Sequence, residues 1–335
     1  MRTSSFFLFL YILLGFGCFA EDDPVPPYVS PQGVISRVIE MGPEYGTHHY
    51  YDLETDSVVA IVDRNSWDIA LGSSNLNRSV YLNHSKLMKV CDLGPVDFES
   101  AELPANPDWK IDASSGAEDS TAVGTWGEGN AGELASKNHV YILDMGFSTI
   151  GQVLGKIKLQ VLGFQNGAYQ IRFSEYPTGP IQTLNVPIDL EYSFVYVKLA
   201  GAGTVVNVAP KQGDWDLVFT QYTTMVPNPD NGIPEAYSVN GTLLNPYNVE
   251  AFRAFTQGFE EFSIDDLPQF DLSSRWDVIG YDWKRYDFNT ASYLINADNL
   301  YVVKNRLGNY FKIRFTGFVN NAGQSGYIGL QVKRL

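Results

Sequence analysis

One pattern of residues occurs twice in this chain, and the repetition restricts the possible folds more than any single residue does. Ser57-Val58-Val59-Ala60-Ile61-Val62 leads to Trp67-Asp68-Ile69-Ala70-Leu71, and Thr204-Val205-Val206-Asn207-Val208 leads to Trp215-Asp216-Leu217-Val218-Phe219. Later, Val140-Tyr141-Ile142-Leu143 and Gly155-Lys156-Ile157-Lys158-Leu159 are answered by Leu300-Tyr301-Val302-Val303 and Tyr310-Phe311-Lys312-Ile313-Arg314-Phe315. Asp97-Phe98 and Leu103-Pro104 meet Glu261-Phe262 and Leu267-Pro268 at one constant offset. So long a period means tandem domains, because solenoid repeats are much shorter. The tryptophans divide evenly, Trp67, Trp109 and Trp126 against Trp215, Trp276 and Trp283, as expected if a buried aromatic packs alike in each copy.

Both copies read as β-rich. Apolar and polar residues alternate in Lys156-Ile157-Lys158-Leu159-Gln160-Val161 and in Lys312-Ile313-Arg314-Phe315-Thr316, the pattern of strands with one buried face. Asn166-Gly167 between two such runs predicts a type I′ hairpin, which needs positive φ at two successive residues. The spacing of Val249, Phe252, Phe255 and Phe259, with Asn248 as cap, predicts one short helix in the second copy. That helix belongs to the largest insertion, between Met225 and Phe259, while the Gly- and Ser-rich stretch 116–136 reads as a long exposed loop around Trp126. Turn-rich Tyr176-Pro177-Thr178-Gly179-Pro180 marks the break between copies. The expected organisation is a first domain at 32–176, a linker at 177–191 and a second domain at 192–335.

The N-terminus reads as an export signal over residues 1–17: Arg2 supplies charge, Phe6 to Phe16 is apolar, and Gly17-Cys18 ends the run. The run is short for a membrane span, which needs roughly 20 apolar residues. Cys18 stands where a bacterial lipoprotein carries its acylated cysteine, although the usual upstream leucine position is Gly15. Residues 18–31, with Glu21-Asp22-Asp23 and Pro24, Pro26, Pro27 and Pro31, read as an acidic, semi-rigid tether. With Cys18 committed to lipid only Cys91 remains, so no disulfide framework is expected and the cores must supply stability.

A net charge of -15 argues against nucleic acid as a partner, since phosphate binding requires clustered Lys and Arg. There is no nucleophile elbow, phosphate-cradling glycine loop or zinc-type cluster, and Asp265-Asp266 reads as a solvated turn, so no enzyme is expected.

The Val-Val strand, the Trp-Asp motif, Tyr301-Val302-Val303-Lys304, Lys312-Ile313-Arg314-Phe315 and the closing strand from Tyr327 resemble the HmuY family of haem-binding surface lipoproteins of Bacteroidetes. The match is better over 192–335 than over the first copy. The resemblance implies a mainly β fold of two tandem HmuY-like domains, an outer-membrane, cell-surface location and haem as the ligand. The acidic run after Cys18 resembles that group's surface-export signal. The family's founding member holds haem iron between two histidines, and the second copy has no histidine. Tyr286 lies nearest the second ligand position, and Met225 is the methionine available there in place of a histidine. In the first copy His84 and Met88 offer a His and Met pair, although ligands from one local segment fall on the same side of an iron. His48 and His49 are adjacent and point to opposite faces of a strand, and His139 reads as a strand-edge residue. Two functions are therefore expected in competition: a surface protein that captures haem or a related apolar ligand, and a scaffold that contacts a protein partner such as an outer-membrane transporter. The insertion and the 116–136 loop are the contact candidates for the scaffold.

Overall fold

A computed structural model describes residues 33–74, 78–130, 132–255, 257–296 and 298–335. The expected signal peptide, Cys18 and the expected tether lie outside the described residues. The first half contains β1 (Val34–Glu40), β2 (Thr47–Asp52), β3 (Ser57–Asp63), β4 (Ile69–Gly72), β5 (Val80–Leu82), β6 (Lys89–Asp92), β7 (Gly127–Asn130), β8 (Glu133–Ser136), β9 (Tyr141–Asp144), β10 (Lys156–Gln165) and β11 (Ala168–Glu175). The second contains β12 (Gln182–Pro187), β13 (Phe194–Lys198), β14 (Thr204–Val206), β15 (Leu217–Pro227), β16 (Pro234–Leu244), β17 (Glu250–Ala254), β18 (Lys284–Asp287), β19 (Ser292–Ile295), β20 (Leu300–Lys304), β21 (Tyr310–Val319) and β22 (Ser325–Arg334). The fold is mainly β. Helical structure among the described residues is limited to 3-10 turns at His84–Lys86, Glu118–Ser120 and Ile264–Gln269.

The helix expected from Asn248 to Phe259 is a strand and a turn. Backbone pairing of β17 with β20 overrides the periodicity, Asn248 adopts φ 55°, and Phe255 lies exposed beside the Arg253 guanidinium. Phe252 and Phe259 were periodic because both reach one small core, which a strand followed by a turn also achieves. The stretch 116–136 is not one exposed loop either: it carries the β7–β8 hairpin, and Trp126 is buried with its Nε1 donating to the Arg78 carbonyl at 2.7 Å. Asn166 and Gly167 both take positive φ (52° and 73°) between β10 and β11, as the hairpin signal requires.

Strand pairing crosses the boundary between the halves in both directions. The hairpin β2–β3 pairs with β15, and β1 pairs with β22, so three strands of the first half complete sheets of the second. Reciprocally, β13–β14 pairs with β4 and β12 with β11. The cores follow the same exchange. One cluster joins Ile69, Leu71 and Leu159 to Val186, Val195, Val197 and Leu199, and another joins Ile39, Met41, Tyr51 and Leu53 to Leu217, Phe219 and Ile313. The boundary at 177–191 marks where the pattern restarts, yet it does not separate two packing bodies.

The aspartate of each Trp-Asp motif anchors the strand received from the other half. Asp68 accepts the Leu199 amide at 2.7 Å and pairs with Lys86 (2.5 Å) and Lys198 (3.1 Å). Asp216 accepts the Leu53 amide at 2.9 Å and pairs with Arg306 (2.8 Å), which also holds Asp52. Five of these six charged side chains, all but Lys198, are almost without solvent, so their pairing satisfies groups that would otherwise be costly to bury. Asn83 and Asn245 close the same corner in each body, their amides donating to the carbonyls of Trp67 and Trp215.

Matching contacts recur further out. Buried Lys158 donates to the carbonyls of Phe98 and Glu99, and buried Lys312 to those of Phe259 and Phe262. Arg172 reaches Gln160 and lies over Phe98, whereas Arg314 reaches Gln331 and lies over Phe259, each guanidinium 4.4 Å from its ring centroid. The arginine and glutamine have changed strands between the bodies while the stack is kept.

Candidate functional site at the junction of the two bodies

Where the exchanged hairpins meet, the bodies enclose an aromatic cavity of about 60 Å³ lined by His48, Tyr50, Trp67, His84, Tyr196 and Trp215 among others. Its frame is two matching pairs. Trp67 meets Tyr196 edge-on at 5.0 Å, and Trp215 meets Tyr50 edge-on at 4.9 Å, each tryptophan coming from one half and its tyrosine from the other. The Tyr50 and Tyr196 hydroxyls interact across the centre. Burial raises the pKa of both, so both remain neutral hydroxyls. Ala70 and Val218 occupy matching places behind the rings.

Two positions break the match. His48 stands two residues before Tyr50 where Phe194 stands before Tyr196, and His84 follows Asn83 where Pro246 follows Asn245; all four line the cavity. The imidazoles of His48 and His84 are 6.3 Å apart, and the Trp67 ring lies 6.4 and 6.0 Å from them. Burial drives the His48 pKa down to about 3, helped by the nearby His84 and Arg64 charges, and burial brings His84 down to about 4. Both rings are therefore neutral at physiological pH.

Their hydrogen bonds fix the tautomers. The Thr220 hydroxyl donates to the Gln221 carbonyl at 2.8 Å, so toward His48 Nδ1, 2.6 Å away, its oxygen acts as acceptor. His84 uses one ring nitrogen on the Gln221 backbone. What remains is His48 Nε2 and His84 Nδ1, both buried, both lone-pair nitrogens and neither hydrogen-bonded. Trp67 Nε1 and Trp215 Nε1 are likewise buried without partners. Unsatisfied buried polar atoms cost about 1–3 kcal/mol each and call for an explanation.

The wall of this cavity is shared with an outer cleft of about 300 Å³. Phe194, Pro246 and Trp276 line both spaces, and Ser115, Ser193, Gln212, Tyr247 and Arg275 make the cleft more polar. Trp276 comes from the second half and lies on Tyr81 and Phe194, its amide donating to the Ser115 carbonyl. Gly116 permits this approach: it takes φ +71°, and a Cβ there would sit 2.0 Å from the Trp276 ring. Trp276 is thus the partition between cleft and cavity.

Of the candidate ligands His84, Met88, Met225 and Tyr286, only His84 lines this cavity. Met88 is buried in the first core, Met225 is exposed on β15, and Tyr286 is exposed on β18 against Phe288 and Tyr293. His49 turns away to Thr47, and His139 pairs with Asp92 at the surface. His48 and the repeated tryptophans were legible only as core or strand residues, because their neighbours come from the exchanged strands. No group of three or more His, Cys, Asp or Glu side chains assembles a metal site among the described residues. The space beside the two histidines is smaller than haem requires while Trp276 stands between cavity and cleft. Pockets for ligands of that order occupy roughly 300–1,000 Å³, and the space beside His48 and His84 is about 60 Å³.

The junction is thus an enclosed aromatic site in a mainly β chain. Residues 191–331 match the model of the HmuY protein family. Among solved structures the chain is similar to the apo HmuY analogue TFO of Tannerella forsythia, at 10% identity and TM-score 0.31, covering 90% of this chain and 96% of that one. It is also similar to apo PinO of Porphyromonas gingivitis, at 11% identity and TM-score 0.29, covering 90% and 97%. No curated protein matches the chain.

Proposed function

We propose that the chain is a non-enzymatic, lipid-anchored binding protein of the bacterial cell surface, built from two HmuY-like copies, whose ligand enters at the junction of the two bodies. The observation that carries this reading is the junction itself: three tryptophans, three tyrosines and two neutral histidines converge on a cavity with four unpartnered buried polar atoms. A stability-driven core would satisfy or remove such groups. The ligand is smaller than a porphyrin, with the outer cleft as its vestibule.

The test is a thermal-shift screen of small molecules against the mature chain and a Ser193→Trp variant that fills the cleft, alongside a haemin titration. Ligands that stabilise the first and not the second, with no haemin Soret shift, support the reading. Equal responses of both chains, or a haemin shift lost with His48, contradict it.

A second reading has its own observation. Ile150 and Val153 on the loop after β9, and Ile61 on the open edge of β3, are 80%, 64% and 60% exposed, which suits a protein partner such as an outer-membrane transporter. Affinity purification from membranes that recovers a stoichiometric partner, lost on Ile150→Ser, supports it; recovery of the chain alone counts against it.

A further inference from the structure

The unpartnered nitrogens of His48 and His84 narrow the ligand class, an inference that rests on the junction being the binding site. Each imidazole is held by its other nitrogen, His48 through Thr220 and His84 through Gln221, and both anchors converge on one backbone carbonyl. This outer-shell arrangement is the one that orients metal-binding histidines. It leaves two lone pairs directed by fixed rings, with no N–H donor in contact.

The spacing suits one ion between the rings. With metal–nitrogen distances of roughly 2 Å on each side, two imidazoles in line would have their centres about 6 Å apart, and the observed separation is 6.3 Å. The lining contains no Asp, Glu or Cys. Zinc prefers four ligands in closed sites, and a divalent charge buried without a counter-ion is costly. A monovalent ion that accepts few ligands avoids the first objection and lessens the second, because the desolvation cost grows with the square of the charge. Among imidazole-binding metals, copper in its reduced form has that character. The Trp67 ring, about equally distant from both imidazoles, supplies a face or edge within the range at which aromatic rings attract cations. Entry from the outer cleft needs only displacement of the Trp276 partition.

We infer that His48 Nε2 and His84 Nδ1 form a two-coordinate nitrogen site for a soft monovalent cation, Cu(I), enclosed by Trp67. The competing occupant is water, which would accept from the indole N–H groups and donate to both imidazoles.

Anaerobic titration of the mature chain with Cu(I) held by the chromophoric chelator bicinchoninate tests this. The expected result is transfer of one equivalent of Cu(I) per chain, with quenching of tryptophan emission, abolished in His48→Gln and in His84→Gln and retained in His139→Gln and Met225→Leu. Because a histidine variant can fail to fold, the wild-type chain is also followed by nitrogen NMR of its imidazoles. Cu(I) should move His48 Nε2 and His84 Nδ1 and leave His49 and His139 in place. Copper that stays on the chelator, or uptake that persists in the double histidine variant, overturns the inference and leaves water in the cavity. The thermal-shift screen above is independent of copper, so hits there with no copper uptake would sink this inference while sparing the junction as a binding site.

Discussion

The two walls of the junction cavity share a frame and differ in chemistry. On both, a Trp-Asp motif supplies the tryptophan and the other half of the chain supplies the tyrosine against it. On one wall stand His48, hydrogen-bonded to Thr220, and His84, held by the Gln221 backbone; on the other the places of His48, His84 and Thr220 hold Phe194, Pro246 and Gly72. The three positions differ together, as groups that serve one site should. The frame answers to packing and is the same on both walls. The histidines leave lone pairs unsatisfied, a cost that packing alone does not justify.

The largest expected effect comes from the aspartates beneath the frame. Asp68→Ala leaves Lys86 buried without its counter-ion and uncaps the received strand, so urea unfolding should show a loss of about 3–5 kcal/mol. Asp216→Ala should cost less, because Asp52 still holds Arg306. Equal losses would mean that the two anchors are interchangeable.

Gly116→Ala adds a side chain at positive φ against Trp276, at a cost of about 1–3 kcal/mol. A red shift of tryptophan emission should accompany it, since Trp276 must leave the partition. An unchanged spectrum would show that the cleft and cavity are not separated by this ring.

The pH dependence separates the walls again. His48 and His84 titrate near 3 and 4 when folded and near the ordinary 6.5 when unfolded. Between those values the unfolded chain binds more protons, so stability falls as pH drops from about 6.5 to about 4 and is unaffected by these groups above 6.5. The slope approaches two protons, about 2.7 kcal/mol per pH unit. Asp112, raised to about 7 by burial, acts oppositely, since its folded state keeps the proton and its contribution declines as pH rises from about 3.8 to 7. Comparing wild type with His48→Phe cancels Asp112, and the difference should be one proton over that window.

The smallest effect on stability is expected from His48→Phe itself at neutral pH, within about 1 kcal/mol, because Phe194 already fills the matching place. Ligand binding should nevertheless be lost. A stabilised variant that still binds would remove the histidine wall from the site.

Much of the fold was legible in the residues. Alternation located β10 and β21, Asn166-Gly167 located a hairpin, and the repeated Val-Val and Trp-Asp segments marked corresponding strands. The helix was misread because Phe252 and Phe259 share a core at a spacing that a strand and turn also allow. The site was only partly legible. His84 could be singled out as a histidine in an excursion, but His48 meets it only because β2 pairs with β15. Reciprocal pairing leaves no local signature: the same alternating strands satisfy either partner, and only long-range register decides.

That reciprocal pairing is the claim on which the cavity depends, and cutting the chain tests it most directly. A protease site placed between Thr178 and Gly179 would sever the chain after β11 and before β12 without removing a strand. If each half completes the sheets of the other, the cleaved fragments will remain one complex on gel filtration and unfold in a single transition. Two fragments that separate under native conditions and unfold independently would contradict the exchange and, with it, the cavity.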